Sequence, residues 1–329
     1  MMAGELWRSY FQIGKETTPG TGVPATRKMY FDKDNSGFTK EQPPRPKKFA
    51  TGTRDNVRAF TLGNTVVGGK VQMPLSASEI IELLLMTVAG GVTPTGAGVT
   101  KLWTFTPGET LDPATIEWQD GARAWEANGV YGNTLKIEGS VEGEAMVTSD
   151  LFGLSLASTT MTGALTDRTP DFIEGWETAL YIDAIGGTPG TTQVSDTLIN
   201  WSIELNNQLE RKYFAQNTKD AGGVTIGEIE LKATLLFEAA ASAALTEFDN
   251  WNAATQRLVR FEFGQNEVID GSDKKFVTVD MPGAWDALNL GSTDKNTRAY
   301  EMSLQYVYDV TNGYGLQIRA QNDRSAAWV

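Results

Sequence analysis

The sequence predicts a mainly β chain of two tandem, similar domains, each closed by a single helix, and three observations lead there. At 329 residues the chain is about twice the length of a typical domain, so it has material for two sizeable cores. Segments such as LKIEG, IEL and MSLQY alternate apolar and polar residues with period two, while WTF and VRFEF hold aromatic and branched strand formers; both are marks of half-buried antiparallel strands. The second half also repeats the first in the order of its elements without repeating its letters, at a spacing too long for solenoid or propeller repeats and suited to a doubled domain.

In the first half, strand-like GGKVQMPL (68–75) runs into helix-like SASEIIELLLMTVAG (76–90), then KLWTFTPG (101–108), ATIEWQDG (114–121) and NTLKIEGSVEGE (133–144). In the second, GEIELKATLLFE (227–238) leads to AAASAALTEFDNWNAAT (239–255), RLVRFEFG (257–264), FVTVDMPGAWD (276–286) and RAYEMSLQYVYD (298–309). Ser76 or Ser78 is the expected N-cap of the first helix and Gly90-Gly91 its end. Ala240, Ala244, Phe248 and Trp251 recur at helical spacing and form one apolar stripe for the second. Three stretches read as projecting loops: the N-terminal arm through ETTPGTGVPATRK (16–28), the proline-rich, basic segment 32–56, and its shorter counterpart AIGGTPGTTQVSD (184–196). The polar stretch 157–171 is the expected junction, which gives a first domain at 1–160, with the arm and the 32–56 loop, and a second at 161–329.

Composition narrows the function. With neither cysteine nor histidine, disulfides, thiolate metal sites, thiol nucleophiles and every imidazole base are removed, which weighs against enzymes. The net charge of −13 is uneven: residues 1–165 hold 15 Lys+Arg against 17 Asp+Glu, and the remaining 13 and 24 leave the second half strongly acidic. Such a chain does not grip nucleic acid by neutralising phosphates. The opening residues show none of the features of a secretory signal, and the apolar run IIELLLMTVAG (80–90) contains Glu82 and is too short to span a bilayer, so an aqueous compartment and no membrane are expected.

The catalytic and ligand motifs are poor. Asp32 to Gly37 resembles the opening of a calcium loop, but Pro43 stands where a bidentate glutamate is needed. GGTPGTT (186–192) lacks the Lys-Ser/Thr ending of a phosphate loop and reads as a turn. Ser272 and Lys275 satisfy a Ser-x-x-Lys pattern without its companions. Trp103, Trp118, Trp125, Trp201 and Trp285 could stack on sugars in a carbohydrate-binding β-sandwich, yet their scatter over many strands fits core packing better. A carboxylate-based glycoside hydrolase would need two converging carboxyls, and no such pair stands out. No catalytic residue, cofactor or metal is assigned.

The segment Phe11 to Arg27, FQIGKETTPGTGVPATR, resembles the opening of the tail tube (major tail) proteins of long-tailed, siphovirus-type bacteriophages in their duplicated-domain form. The likeness continues through Gly69-Lys70-Val71 to Pro74-Leu75, Thr104 to Gly108, and Trp201 to Asn207. It implies β-sandwich or barrel-like domains whose sheets join side by side in a closed ring, with no catalysis. Rings of three doubled subunits, pseudo-hexameric, would stack into a tube that conducts viral DNA to the host. The partners implied are the chain itself, other tail proteins such as tape measure and tail terminator, and DNA passing without specific binding. The place implied is the virion tail, assembled in the host cytoplasm. On this view Trp7, Tyr10, Phe11, Phe38, Arg45, Lys47, Lys48 and Phe49 are the expected inter-ring contacts. Glu138, Glu142, Glu204, Glu228, Glu230 and Glu301, polar members of alternating strands, are the expected acidic lining of the lumen, which keeps DNA mobile.

Overall fold

The computed structural model describes residues 5–328; the first four residues of the arm and Val329 lie outside the described residues. The first half runs β1 (Tyr10–Lys15), β2 (Arg27–Met29), β3 (Gly37–Glu41), a hairpin of β4 (Pro44–Lys48) and β5 (Val57–Leu62), β6 (Val66–Pro74) and α1 (Ile81–Thr87). It ends with β7 (Lys101–Phe105), β8 (Ala114–Gln119), β9 (Ala124–Gly132), β10 (Thr134–Ser140), β11 (Met146–Gly153) and β12 (Ser155–Ser158). The second half runs β13 (Thr178–Ala184), β14 (Gln193–Val194), β15 (Leu198–Asn206), a hairpin of β16 (Glu210–Lys212) and β17 (Gly223–Thr225), β18 (Glu230–Glu238) and α2 (Ser242–Asn252). There follow β19 (Arg257–Asp270), β20 (Asp273–Asn289), β21 (Thr293–Asp294), β22 (Thr297–Tyr306) and β23 (Gln317–Asn322). The chain is mainly β with two helices, as the alternation predicts.

One pairing order occurs twice. β1 pairs with β2 and β8, as β13 pairs with β14 and β19. β6 lies between β3 and β11, as β18 lies between β15 and β22. β9 lies between β8 and β12, as β20 lies between β19 and β23. Each half places a hairpin, β4–β5 or β16–β17, between its central strand, β6 or β18, and the flanking strand that precedes it, β3 or β15. The long β20 covers the ground of β9 and β10 together, since its C-terminal part pairs with β22 as both of those reach β11. After the helix this order shifts the correspondence by one strand from the one expected. Segment 114–121, which forms β8, answers to β19 at 257–264, and 101–108 has no counterpart, because β7 pairs across to β23.

The halves are joined edge to edge. β10 and β15 form seven consecutive pairs from Thr134↔Asn206 to Ser140↔Asn200, and the apolar interior runs on beneath that seam through Leu135, Ile137, Trp201 and Ile203. Both helices are shorter than their apolar runs. Ser76 Oγ accepts the N–H groups of Ser78 and Glu79 at 3.2 and 3.0 Å, which turns the chain before α1 begins. In α2 the buried line is Ala244 and Glu247, with Ala240 outside the helix. The carboxylate of Glu247 is tolerated there because Arg257 and the indole N–H of Trp285 donate to it, at 3.0 and 2.8 Å.

A buried ionic cluster fixes α1 against both ends of the chain. The Arg27 guanidinium of β2 donates to Glu82 at 2.6 Å and to Glu79, and Arg324 beyond β23 donates to Glu82 and to the Ser78 carbonyl at 2.6 Å. The Trp328 amide reaches Glu82 as well, at 3.1 Å. Burial opposes the charge on Glu82, but the two guanidiniums win and hold its carboxyl well below the usual carboxylate range; at Glu79 burial prevails and pushes the carboxyl up. A depressed folded-state pKa stabilises the fold above the ordinary value of 4.5 and loses that contribution as pH falls below it. Glu82→Gln is therefore expected to cost about 3–5 kcal/mol at neutral pH, read by denaturant unfolding, and to flatten the fall in stability expected of the natural chain as pH drops below 4.5.

Candidate assembly surfaces

The joined sheet has one buried and one solvent-facing side, and period-two geometry sorts its residues. Leu135 and Ile137 of β10, Ile203 and Leu205 of β15, and Leu231 and Ala233 of β18 point into the core. Their neighbours point out in cross-strand rows. Thr134 lies beside Asn206 and then Glu230; Lys136 beside Glu204 and Lys232; Glu138 beside Ser202 and Thr234; Asn200 beside Leu236 and Glu301. So Glu138, Glu204, Glu230 and Glu301 share one face. Glu142 stands in the turn after β10, in an exposed ion pair with Lys295, and Glu228 precedes β18.

That face is mixed in charge. Lys70 sits opposite Asp150, Lys136 bonds Glu138 at 2.5 Å, and Lys232 is the cross-strand neighbour of Glu204. The signal for the lysines was present in the sequence: Lys136-Ile-Glu138 and Glu230-Leu-Lys232 put opposite charges two apart in a strand, hence on one face.

The 32–56 segment is not structureless. Gly37–Glu41 adds to the sheet as β3, and β4 and β5 form a two-stranded sheet that pairs with no other strand among the described residues. Alternation gives it two faces. Arg45 and Lys47 share one with Ala59 and Thr61; Pro44, Pro46, Phe60 and Leu62 share the other. Phe60 and Leu62 are 68% and 50% exposed, and Phe49 at the turn is 56% exposed. A bare two-stranded ribbon showing this much apolar surface is marginal by itself and calls for a partner. Its counterpart β16–β17 has one: the Arg211 guanidinium stacks over the Phe152 ring of the first half at 3.9 Å, and the Tyr213 hydroxyl donates to the Thr65 carbonyl at 2.7 Å.

The expected stacking residues divide by burial. Phe11 and Phe38 belong to the core: Phe11 packs against Phe31, Phe38 and Trp118, with ring centroids 4.2–6.1 Å apart. Neither presents an exposed ring to a stacked neighbour. Their apolar inward positions on β1 and β3 account for this, since a residue near a loop in sequence still follows the strand alternation. Trp7 is 71% exposed, and Tyr10, Arg45, Lys47, Lys48 and Phe49 remain accessible.

The arm through 16–28 is pinned, not projecting. Glu16 is buried and its carboxylate accepts the Gly20 N–H at 2.7 Å, the Thr115 hydroxyl at 2.8 Å and the Gly129 N–H at 2.8 Å. Lys15 pairs with Asp112 at 2.8 Å and Arg27 enters the Glu82 cluster. The motif GKETTPGT is thus a clasp that closes β1 onto β8 and β9.

The weak motifs resolve into turns. Asp32 accepts the Asp34 N–H at 2.9 Å and the Asn35 amide at 2.6 Å, and no cluster of three acidic groups placed for a metal occurs among the described residues. In 186–192 the donors that would meet a phosphate, Gly190, Thr191 and Thr192, serve Asp183 instead. Lys275 bonds Glu267 and Asp171, at 2.8 and 3.3 Å. Trp103, Trp201 and Trp285 are buried, and Trp118 and Trp125 pack against the same core, so the five make no open sugar platform.

No curated protein matches this sequence. A family model described as phage tail tube protein matches residues 7–284, from the exposed Trp7 through the pinned arm, both helices and β19 into β20. That span takes in most of the chain, with β22 and β23 lying beyond it. The chain therefore belongs to the phage tail tube protein family and is a structural protein of the bacteriophage virion tail.

Proposed function

We propose that three copies of this chain close into a ring of six similar domains, divided near residue 160 in each chain, and that such rings stack into a tube whose channel carries DNA. The observation behind this reading is the edge-to-edge pairing of two halves that share one pairing order: a unit that adds to its own likeness inside the chain can add to it again between chains, and head-to-tail addition gives a ring where the repeated rotation closes. Tape measure and tail terminator proteins are the tail partners expected of such a tube. The solvent-facing side of the joined sheet suits the channel wall. It is hydrophilic and carries Glu138, Glu204, Glu230, Glu301 and Asp150 against Lys70, Lys136 and Lys232. A modest excess of carboxylate repels phosphate, and lysines set beside carboxylates are poor at capturing it.

For stacking, the β4–β5 ribbon is the favoured contact. Its basic face meets an acidic protein and sets encounter and register, while Phe49, Phe60 and Leu62, with Trp7 at the arm, supply apolar anchors that charge alone does not.

Image averages of purified assemblies test the ring: three-fold symmetry with six lobes is expected, and six-subunit rings or dissimilar lobes would sink the reading. Replacing Arg45, Lys47 and Lys48 together by glutamate leaves the fold intact, since all three are exposed, and is expected to yield rings that fail to elongate; tubes of ordinary length from this variant would remove the ribbon from stacking. In phage carrying Glu204→Lys, Glu230→Lys and Glu301→Lys, DNA release followed by dye fluorescence should slow several-fold while tubes still form, with the delay shrinking as salt rises. Unaltered release would count against an electrostatic role for the wall.

A further inference from the structure

Two strand edges of the joined sheet have no strand partner among the described residues. β3 pairs only with β6, leaving its other edge open, and the part of β20 beyond Gly283 pairs only with β22. Their counterparts in the repeated order are β15 and β10. Those are the two strands that pair with each other at the intrachain seam.

The correspondence can be set residue by residue. In each half the strand facing β11 or β22 carries one extra residue, between Gly132 and Lys136 in the first and between Trp285 and Ala287 in the second. Matching these bulges sets Thr134 on Ala287, Lys136 on Asn289, and Thr148 on Glu301. Through their shared partners, β6 then falls on β18 with both ends coincident, Val66 on Glu230 and Pro74 on Glu238. β3 falls on β15 with Glu41 on Asn206 and Thr39 on Glu204. The bulges and the independent strand ends agree on one register.

We infer that the C-terminal part of β20, with Leu290 just beyond it, pairs, antiparallel, with β3 of a second copy of this chain, in the register Ala287↔Glu41, Leu288↔Lys40, Asn289↔Thr39 and Leu290↔Phe38. This rests on the ring-forming reading above and names the edges that make the contact. The side-chain pattern fits. The core-facing pairs of the seam, Leu135↔Leu205 and Ile137↔Ile203, become Leu288↔Lys40, with the lysine stem lying over the apolar layer, and Leu290↔Phe38. Leu290, 48% exposed in the single chain, gains an apolar partner. The outward pair Lys136↔Glu204 becomes Asn289↔Thr39, neutral and small. Pairing also covers two open edges, which otherwise invite indiscriminate strand addition. The contact of β16–β17 with Phe152 transfers in the same way: it seats the root of β4–β5 near Gln305 and Val307 of the neighbour, beside Tyr308 and Val310, which are 59% and 85% exposed.

The chain has no cysteine, so cross-linking reports cleanly. Thr39→Cys and Asn289→Cys, both at exposed sites, are placed on separately purified chains, mixed, assembled and oxidised. Directly opposed strand residues lie within disulfide reach, and a covalent dimer is expected, with a closed covalent trimer from the double variant. Lys136→Cys with Glu204→Cys, the intrachain equivalent, calibrates the yield. Glu41→Cys mixed with Asn289→Cys, two residues out of register, should give at least about tenfold less product. If rings form by negative stain and the calibrating pair closes, yet Thr39→Cys and Asn289→Cys do not link, the edge assignment is overturned while the ring stands. Preferential linking of the slipped pair overturns the register. If no rings form under any condition, the ring reading fails and this inference with it.

Discussion

Everything in this chain depends on one constraint: a β-strand at a sheet edge has unmet backbone donors and acceptors and must be paired, covered or blunted. The β10–β15 seam meets that need between the halves, and so binds two copies of one topology into a single sheet with a continuous interior. Because the seam is antiparallel and in strict register, it also fixes which side chains face the core and which face water across both halves. The mixed Glu and Lys rows on the open face follow from it, as does the burial of Trp201 and Ile203 beneath it.

Loops long enough to roam are held by buried carboxylates, in a protein that has no disulfides to do so. Glu16 clasps the segment after β1, Glu82 gathers β2, α1 and the C-terminal segment, and Glu247 fastens α2 to β19 and β20. Asp171 belongs to the same set: Ser76 and Ser78 donate to it from the entry to α1 and Lys275 approaches from β20, so the polar junction between the halves is tied to each of them. Each carboxylate is surrounded by donors, which is the condition under which burying charge is tolerated. The pattern concentrates order where elements of different halves or distant sequence meet.

The two hairpins show how one device serves two ends. β16–β17 is short and lies on the first half through Arg211 and Tyr213, inside the chain. β4–β5 occupies the equivalent place but is longer, basic on one face and apolar on the other, and it leaves the body of its own chain. Its surplus surface is the clearest sign that the unit described here is a component and not a finished particle.

The sequence by itself determined the mainly β class and the two helical runs, because period-two alternation and helical periodicity are local signals that need no knowledge of partners. It also marked Glu138, Glu204, Glu230 and Glu301 as polar members of alternating strands, which the structure gathers on one solvent-facing side, and GKETTPGT pointed to the family before its clasp was visible. What it could not fix were partners. Types alone put 101–108 opposite 257–264, and only hydrogen-bonded registers move that match to β8 and send β7 across to β23. Phe11 and Phe38 read as surface anchors because they flank a polar loop, yet their inward places on β1 and β3 bury them. Segment 32–56 read as unstructured because its prolines and charges suppress a core signal, and an exposed ribbon stabilised by cross-strand pairs leaves little such signal to read. The buried ion clusters join residues up to 246 positions apart, and separations of that size are settled only when the tertiary structure brings their groups together.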